Sequence, residues 1–304
     1  MGIRHDLKQI ADLGGLSLKE LGKRVWNEMG NDDVSAYAAQ LAYYFLFSLF
    51  PFLLFLAALI GYLPIPDLMT RIFSALESFL PREAMSLVQD NVVEVVTSRK
   101  GGLLSVGAIL ALWGATGAMS AIMTSLNRAY GVREGRPFWK SKLIALGLTL
   151  LPAVMALAAI VLLMFGPQIG HWLAAKVGLG GLFDFIWIGV RWIAIVFGMV
   201  LAIALIYYFA PDVKQKWRWI TPGALFAVLA WILMSAAFSY YVNNFGSYSQ
   251  TYGTIGGVIA LLSYLYLCGL VLLIGGEINS EIEHAADTGK AEGERAPGQP
   301  ARAG

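Results

Sequence analysis

The sequence has little of what a soluble enzyme needs. Charged residues make up only 14% of its 304 residues, whereas hydrophobic residues make up 58%. That leaves too few polar side chains to cover a water-soluble globule of this length. Its one cysteine, Cys268, cannot form an internal disulfide, and its place in an apolar run suits a small buried hydrophobe. The low polarity excludes a soluble protein, so the bilayer is the solvent.

Residues for catalysis are also scarce. The three histidines, His5, His171 and His284, lie in separate segments and show no spacing of the HExxH kind. Asp32 and Asp33 are adjacent, so on a helix they would point about 100° apart. No Gly-rich phosphate loop ending in Lys and Ser or Thr occurs. We therefore predict no enzymatic activity, in particular no ribonuclease activity, and neither a metal site nor a cofactor.

Long apolar runs are what the sequence does have. Each reaches the roughly 20 residues needed to cross about 30 Å of hydrocarbon as a helix, and each is apolar on every face, which excludes the alternating strands of a membrane barrel. We predict an all-α polytopic membrane protein with a membrane domain over 38–284. Its six transmembrane helices are expected at about 38–62, 103–126, 143–165, 185–210, 220–242 and 255–275.

The distribution of Lys and Arg predicts the orientation. Residues 1–37 and 127–142 hold five basic residues each, and 211–219 and the tail hold three each. The opposite connections hold four, one and none, and the four lie in a long segment where the rule is weak. We therefore expect a multi-pass protein of the bacterial cytoplasmic (inner) membrane with both termini in the cytoplasm, and no affinity for nucleic acid.

Three segments outside the spans have their own patterns. Residues 1–37 form a cytoplasmic amphipathic segment in which Ser17 and Glu20 have capping-box spacing before a helix suited to the membrane interface. The extracytoplasmic segment 64–102 predicts two amphipathic helices, which either lie on the outer leaflet or cap a cavity. The tail 285–304 is rich in Gly, Pro, Ala and charge, and we expect it to be disordered.

Polar residues in or beside the spans are candidates for a substrate path or gate, because burying them in a membrane is costly. In the first span Gln40 and Ser48 precede Pro51, which would free the carbonyl of Phe47 either for a substrate or for a neighbouring helix. Pro152 could do the same in the third span.

Arg128, next to Asn127 at the end of the second span, and Glu277, at the end of the sixth, are expected at similar depth. They either pair as a gate or meet lipid phosphate and solvent separately.

Two candidate places lie toward the outer side. Arg191, between Trp187 and Trp192, either snorkels within an aromatic belt or binds an anionic head group with Asp184 nearby. The uncharged connection before the last span contains Asn243, Asn244 and Tyr252, and it forms either a solvated hairpin or the mouth of a ligand cavity.

The chain resembles the YihY/BrkB family of bacterial inner-membrane proteins. The resemblance rests on the run Ala36 to Phe45 continuing to Pro51, on Asn127 to Val132 with Arg136-Pro137, on Pro222-Gly223-Ala224, and on Tyr252-Gly253 through Gly275-Gly276-Glu277-Ile278-Asn279-Ser280-Glu281. It implies a six-span helical protein. Names given to the family refer to serum resistance and to a ribonuclease BN, and transport has been proposed for it.

Together these observations predict a protein that moves or binds a lipid, an envelope precursor or a small amphiphilic solute. Its expected partners are membrane lipids and such an amphiphile. The alternative from a different class is a non-transporting membrane scaffold or envelope-integrity factor.

Overall fold

A computed structural model describes residues 13–62, 101–177, 180–245, 248–286 and 289–298. Every regular element in these ranges is helical, which confirms the predicted all-α class. A 3-10 turn at Leu13–Gly15 comes first. The α-helices that follow in the described ranges are α1 (Leu18–Asn31), α2 (Val34–Tyr62), α3 (Gly101–Ala129), α4 (Phe138–Val177), α5 (Gly180–Phe209), α6 (Trp217–Phe245) and α7 (Tyr248–Ala285).

Helices α2 to α7 coincide with the six predicted spans. Five of them are long and apolar enough within the described residues to cross a membrane, and α2 adds a shorter apolar stretch, Val34–Leu49. The chain is therefore a polytopic helical membrane protein. The long stretches are Ser105–Ala129, Phe138–Leu163, Ile186–Phe209, Trp217–Val242 and Gly256–Ala285.

Several helices contain proline without ending there. Pro51 lies inside α2, Pro152 and Pro167 inside α4, and Pro222 inside α6. Each proline removes one backbone hydrogen bond, yet a membrane offers no water to stabilise a break, so the helix continues on both sides.

The chain divides into two compact units. The first contains α1, α4 and α5 and includes a small apolar cluster in which Leu21 and Val25 of α1 pack against Trp219 of α6 and Ile282 of α7. Through this cluster, α1 packs against α6 and α7. The first unit draws on Met1–Val34, Ile122–Trp231 and Val271–Gly304.

The second unit draws on Ser35–Ala121 and Ile232–Leu270. A Cβ added at Gly114 would lie 2.8 Å from the Cβ of Ser48, so α2 and α3 pack closely there. Ser235 and Tyr264 join α6 to α7 through a hydroxyl hydrogen bond of 3.1 Å.

The N-terminal helix begins as predicted and packs differently. The hydroxyl of Ser17 accepts a hydrogen bond from the Glu20 N–H at 3.2 Å, which confirms the capping spacing. Leu18 and Trp26 remain 78% and 75% exposed, whereas Leu21 and Val25 are buried. Among the described residues, protein therefore covers only part of the apolar surface of α1.

Two other predicted segments have different outcomes. Residues 64–102, predicted to be extracytoplasmic, lie outside the described residues except for the last two positions, which begin α3. In the tail, residues 289–298 belong to the first unit, and Lys290 and Ala296 are buried there; the disorder expected for the whole tail stays a prediction. Composition indicates how little apolar surface a segment can bury, but it does not register a single buried ion pair.

Candidate functional site

In the first unit, helices α6 and α7 pack closely against each other at two glycines, Gly223 and Gly275. A Cβ on Gly223 would overlap the carbonyl oxygen of Gly275, and a Cβ on Gly275 would overlap the hydroxyl of Tyr207. The Gly223 N–H donates to the Oδ1 of Asn279 at 2.7 Å, which ties the two helices together below the contact. Small residues are what allow membrane helices to approach this closely.

Glu277 lies on α7 between Gly275 and Asn279, and it is 1% exposed. Its Oε2 has no hydrogen-bond partner, and among the described residues it forms no ion pair. The carboxylates of Asp32, Glu28 and Glu281 lie near enough to repel it. A buried carboxylate without compensation is costly in a membrane helix, so Glu277 marks a site where another group is expected.

Arg128 has partners other than Glu277. Its guanidinium lies 3.0 Å from the carboxylate of Asp33 and 3.6 Å from that of Asp32, and it donates to the carbonyl of Asn31 at 3.4 Å. The described ion pairs of Arg128 therefore go to the corner between α1 and α2, and a gate formed by Arg128 and Glu277 stays a prediction. Asp33 occupies a left-handed conformation there, with φ of 52°.

Asp32 is the titratable residue of this corner. Burial and the nearby carboxylate of Glu28 raise the pKa of Asp32 to about 6, although the charge of Arg128 opposes the shift. Its ion pair with Arg128 therefore weakens when the pH falls below about 6.

Asn127, the other candidate at the end of α3, is buried and connects two loops. Its Nδ2 donates to the Oε2 of Glu134 at 3.1 Å, and its Oδ1 accepts from the backbone N–H of Asp212 at 2.6 Å. Residues 130–137 and 210–216 are thereby joined through one amide. This role is structural in the present contacts, since both of its hydrogen bonds go to protein.

Arg136 completes that junction. It forms two hydrogen bonds to the carboxylate of Glu134, at 2.6 and 2.7 Å, and donates to the carbonyls of Phe209 and Ala210 at the end of α5. Burial alone would raise the pKa of Glu134, but the hydrogen bonds and charge of Arg136 outweigh it and hold that pKa below its usual range. A guanidinium at a helix C-terminus also satisfies the last carbonyls of α5.

The tail is held by a buried ion pair. The Lys290 ammonium lies 2.5 Å from a carboxylate oxygen of Glu283 and donates to the carbonyl of Lys214 at 2.9 Å. Both charged side chains are almost fully buried, and the ammonium lies over the ring of Tyr130. The backbone continues this docking, because the Gly293 N–H donates to the Tyr130 carbonyl at 3.0 Å.

The candidates of the first predicted span lie in α2, in the second unit. Gln40 is exposed, and the Ser48 hydroxyl donates within its own helix to the carbonyl of Phe45 at 3.0 Å. Pro51 is half-buried inside α2. Their proposed role in a substrate path stays a prediction.

Toward the other helix ends, Arg191 lies against Gly166 of α4, whose carbonyl accepts a hydrogen bond from the indole of Trp187 at 2.6 Å. Asn244 is exposed and donates to the Tyr240 carbonyl at 2.8 Å. The side chains of Asn243 and Tyr252 lie outside what the structure describes. The polar mouth predicted for this connection stays a prediction as well.

Sequence reasoning missed the residues that hold the helix ends together. Asn279 and Ser280 are buried, and the Ser280 hydroxyl donates to the Ala129 carbonyl across from α7 to α3. Tyr207 donates to the carbonyl of Leu272. A polar cluster that follows two glycines in an apolar run was a usable signal, because Gly permits close contact and the polar groups beside it then need partners.

A family model described as "Virulence factor BrkB" matches residues 25–299. The chain belongs to the BrkB family. Among its relatives is the "Putative ribonuclease-like protein YfkH" of Bacillus subtilis (strain 168), which is 41% identical over 263 residues, or 86% of this chain and 94% of the relative. Most of the residues that converge in the first unit lie within the matched range.

More distant relatives carry the name "UPF0761 membrane protein". One from Stenotrophomonas maltophilia (strain K279a) is 26% identical over 86% of this chain, and one from Tolumonas auensis is 24% identical over 84%. The chain spans 60% of the length of the Stenotrophomonas protein and 83% of the Tolumonas protein. No solved structure matches the chain.

The names of these relatives do not establish a reaction, so the chemistry is argued from the residues. The word ribonuclease belongs to the Bacillus protein's name, while the more distant relatives are named only as membrane proteins. Across the residues the structure describes, no group of three or more His, Cys, Asp and Glu side chains is arranged to hold a metal ion. The arrangement offers a buried carboxylate and hydrogen-bonding groups, which can bind a polar group within a membrane.

Proposed function

We propose that this BrkB-family protein resides in the bacterial inner membrane, binds a lipid, an envelope precursor or another small amphiphile, and moves it through the membrane. The proposal includes no catalytic step. We also propose that both termini lie in the cytoplasm, as the positive charges of the connections predict. Its cargo has a polar part that needs a binding group and an apolar part that stays in lipid.

The single observation that carries the proposal is the burial of Glu277 without compensation. Ionisable residues inside membrane helices are rare and usually contact a substrate, an ion or one another. Here the neighbouring carboxylates repel Glu277, so a hydrogen-bond donor or positive charge from the cargo would relieve a cost that the protein itself does not offset. An amino or hydroxyl group of an amphiphile has this chemistry.

A vesicle assay tests the movement. Wild-type protein is reconstituted into liposomes that contain a fluorescent phospholipid analogue, and a membrane-impermeant reductant reports which molecules reach the outer leaflet. We expect wild type to expose more of the probe than protein-free liposomes, Glu277→Gln to lose that gain, and Glu281→Gln to keep it. Wild-type traces that match protein-free liposomes would contradict movement of phospholipid-like cargo.

The alternative is a non-transporting scaffold, and one observation favours it. Leu18 and Trp26 remain exposed on α1 although Leu21 and Val25 of that helix are packed. A partner protein or the lipid surface could cover them. A scaffold would lose its function on Trp26→Ala and retain it on Glu277→Gln, which is the reverse of the order expected for a transporter.

A further inference from the structure

A pocket of about 510 Å³ lies in the first unit, where α4 begins and α5 ends. It is separate from Glu277, which does not line it. The connection 210–216 forms one wall, and the tail contributes Arg295. The lining residues are Arg136, Lys140, Ile144, Tyr208, Phe209, Pro211, Asp212, Val213, Lys214, Gln215 and Arg295.

The pocket carries an excess of positive charge. Asp212 is the carboxylate in its lining, and it already lies 3.2 Å from Arg295 and 3.8 Å from Arg136. Lys140 and Lys214 are exposed and form no ion pair with any residue the structure describes. The two ammonium groups at this pocket can therefore bind an anion. The guanidinium groups in the lining can donate hydrogen bonds to the oxygens of that anion.

The other side of the pocket is apolar and continues toward the spans. Ile144 lies one turn after Lys140 on α4, and Tyr208 stacks on Trp217 with ring centroids 4.8 Å apart. Aromatic side chains at neighbouring helix ends are exposed: Phe138 at 78% and Trp139 at 64% at the start of α4, and Trp217 at 47% at the start of α6. Aromatic residues at helix ends are typical of the level of lipid head groups.

We propose that this pocket binds the phosphate group of an anionic membrane phospholipid. Lys140 and Lys214 would contact the phosphate, while the acyl chains would lie along the exposed apolar face of α4 that follows Ile144. Basic pockets between membrane helices have the chemistry for such head groups. The site does not require that the protein move any cargo.

Native mass spectrometry of delipidated protein in detergent, titrated with phosphatidylglycerol or phosphatidylcholine, tests the proposal. We expect the first phosphatidylglycerol to bind about tenfold tighter than phosphatidylcholine, and Lys140→Gln with Lys214→Gln to remove that preference. The matched control is Lys19→Gln with Lys23→Gln on α1, which changes the net charge equally and should keep the preference.

Two results would overturn the site. Retained preference in the pocket variant, or equal loss in the α1 control, would show that net charge or other surfaces select the lipid. Because both lysines are exposed, a melting curve of each variant verifies folding before binding is compared. The vesicle assay of Glu277 measures movement, so failure of one proposal is distinguishable from failure of the other.

A competition step separates a lipid from a soluble phosphate compound. Inorganic phosphate in large excess should leave phosphatidylglycerol bound, because the apolar wall contributes to lipid binding and not to that of a free ion. Displacement by inorganic phosphate alone would assign the pocket to a soluble anion and overturn the lipid as its ligand.

Discussion

At the residue scale, Glu277 supplies a binding group and lowers the stability of the folded protein. Its neighbours Asp32, Glu28 and Glu281 are all acidic, and its Oε2 accepts no hydrogen bond. Removing an unpartnered ionisable group from such a place lowers a cost of the folded state, whereas removing one member of an ion pair does not. A residue that serves binding can destabilise the folded protein, and a substitution that raises the Tm identifies such a residue.

The first prediction follows from this cost. Glu277→Gln keeps the shape of the side chain and removes an ionisable group whose charged form is unfavourable at this place, so we expect the apparent Tm in detergent to rise by about 2–4 °C, equivalent to roughly 1 kcal/mol. Glu281→Gln serves as control because Glu281 faces Arg24 at 3.7 Å, and it should give no increase. An unchanged or lower Tm for Glu277→Gln would mean that the carboxylate already has a compensating partner.

Asp32 supports a second prediction, on pH. Its pKa of about 6 exceeds the ordinary 3.8, so the folded state binds this proton more tightly than the unfolded chain does. The stability of the folded state therefore increases as the pH falls from about 6 toward 4 and is lower above 6.

We expect wild type to gain more in apparent Tm between pH 7 and pH 5 than Asp32→Asn, whose residue cannot titrate. Measuring both proteins across this interval isolates Asp32 from other groups that titrate with it. Identical pH profiles for the two proteins would refute the assignment.

At the scale of elements, the crossing of α6 and α7 depends on glycine, which gives a third prediction. Gly223→Ala would place a methyl group against the Gly275 carbonyl, and backbone cannot rotate away as a side chain can. We expect a loss of about 1–3 kcal/mol and a Tm lower by several degrees.

The matched control for this crossing is Gly147→Ala in α4, where nothing lies within 4 Å of the new Cβ. Alanine favours a helix over glycine by about 1 kcal/mol, so this variant should be neutral or more stable. Equal behaviour of the two variants would show that the crossing is not sterically restricted.

The docked tail provides a fourth prediction. Lys290→Met leaves the nearly buried Glu283 without its cation, and breaking a buried pair costs about 3–5 kcal/mol. We expect faster hydrogen exchange across residues 289–298 and a lower Tm. Adding Glu283→Gln removes the stranded charge and should recover part of the loss. Exchange in this segment that is unaffected by either change would contradict the ion pair.

Particular residues show what could be predicted from sequence at this scale. The apolar runs located α2 to α7, and the spacing of Ser17 and Glu20 located the start of α1, because periodicity and capping are local properties. The partner of Arg128 was not predictable in this way. The positions of Arg128 and Glu277 along their helices predicted a similar depth in the membrane. Pairing also depends on how each helix is rotated about its axis, and on the corner between α1 and α2 that places Asp32 and Asp33 next to Arg128.

The length of α7 and the contacts of the tail were not predicted, for related reasons. The predicted last span stopped at 275, where polar residues begin, whereas α7 continues to Ala285 because Asn279, Ser280 and Glu283 find partners on other elements. The pair of Glu283 with Lys290 also holds residues 289–298. Long-range hydrogen bonds decide both outcomes, and composition contains no record of them.

At the scale of the whole molecule, membership of the BrkB family accounts for the helical membrane architecture and leaves the activity to be argued from the residues. Most of the motifs of the family resemblance meet in the first unit: Asn127 with its loop, Arg136, the Gly223 contact and the stretch from Gly275 to Glu281. Glu277, a buried carboxyl group without compensation, lies in the last of these stretches, and a passive membrane anchor has no need of such a group. Recognition of an amphiphile by Glu277 is the central claim.

The measurement that tests this claim most directly is native mass spectrometry of the intact protein after gentle detergent extraction from its native membrane. We predict a discrete amphiphile that remains bound to wild type and to Glu281→Gln and is lost from Glu277→Gln. Only bulk phospholipids, bound in the proportions of the membrane and unchanged by Glu277→Gln, would contradict the claim and favour the scaffold.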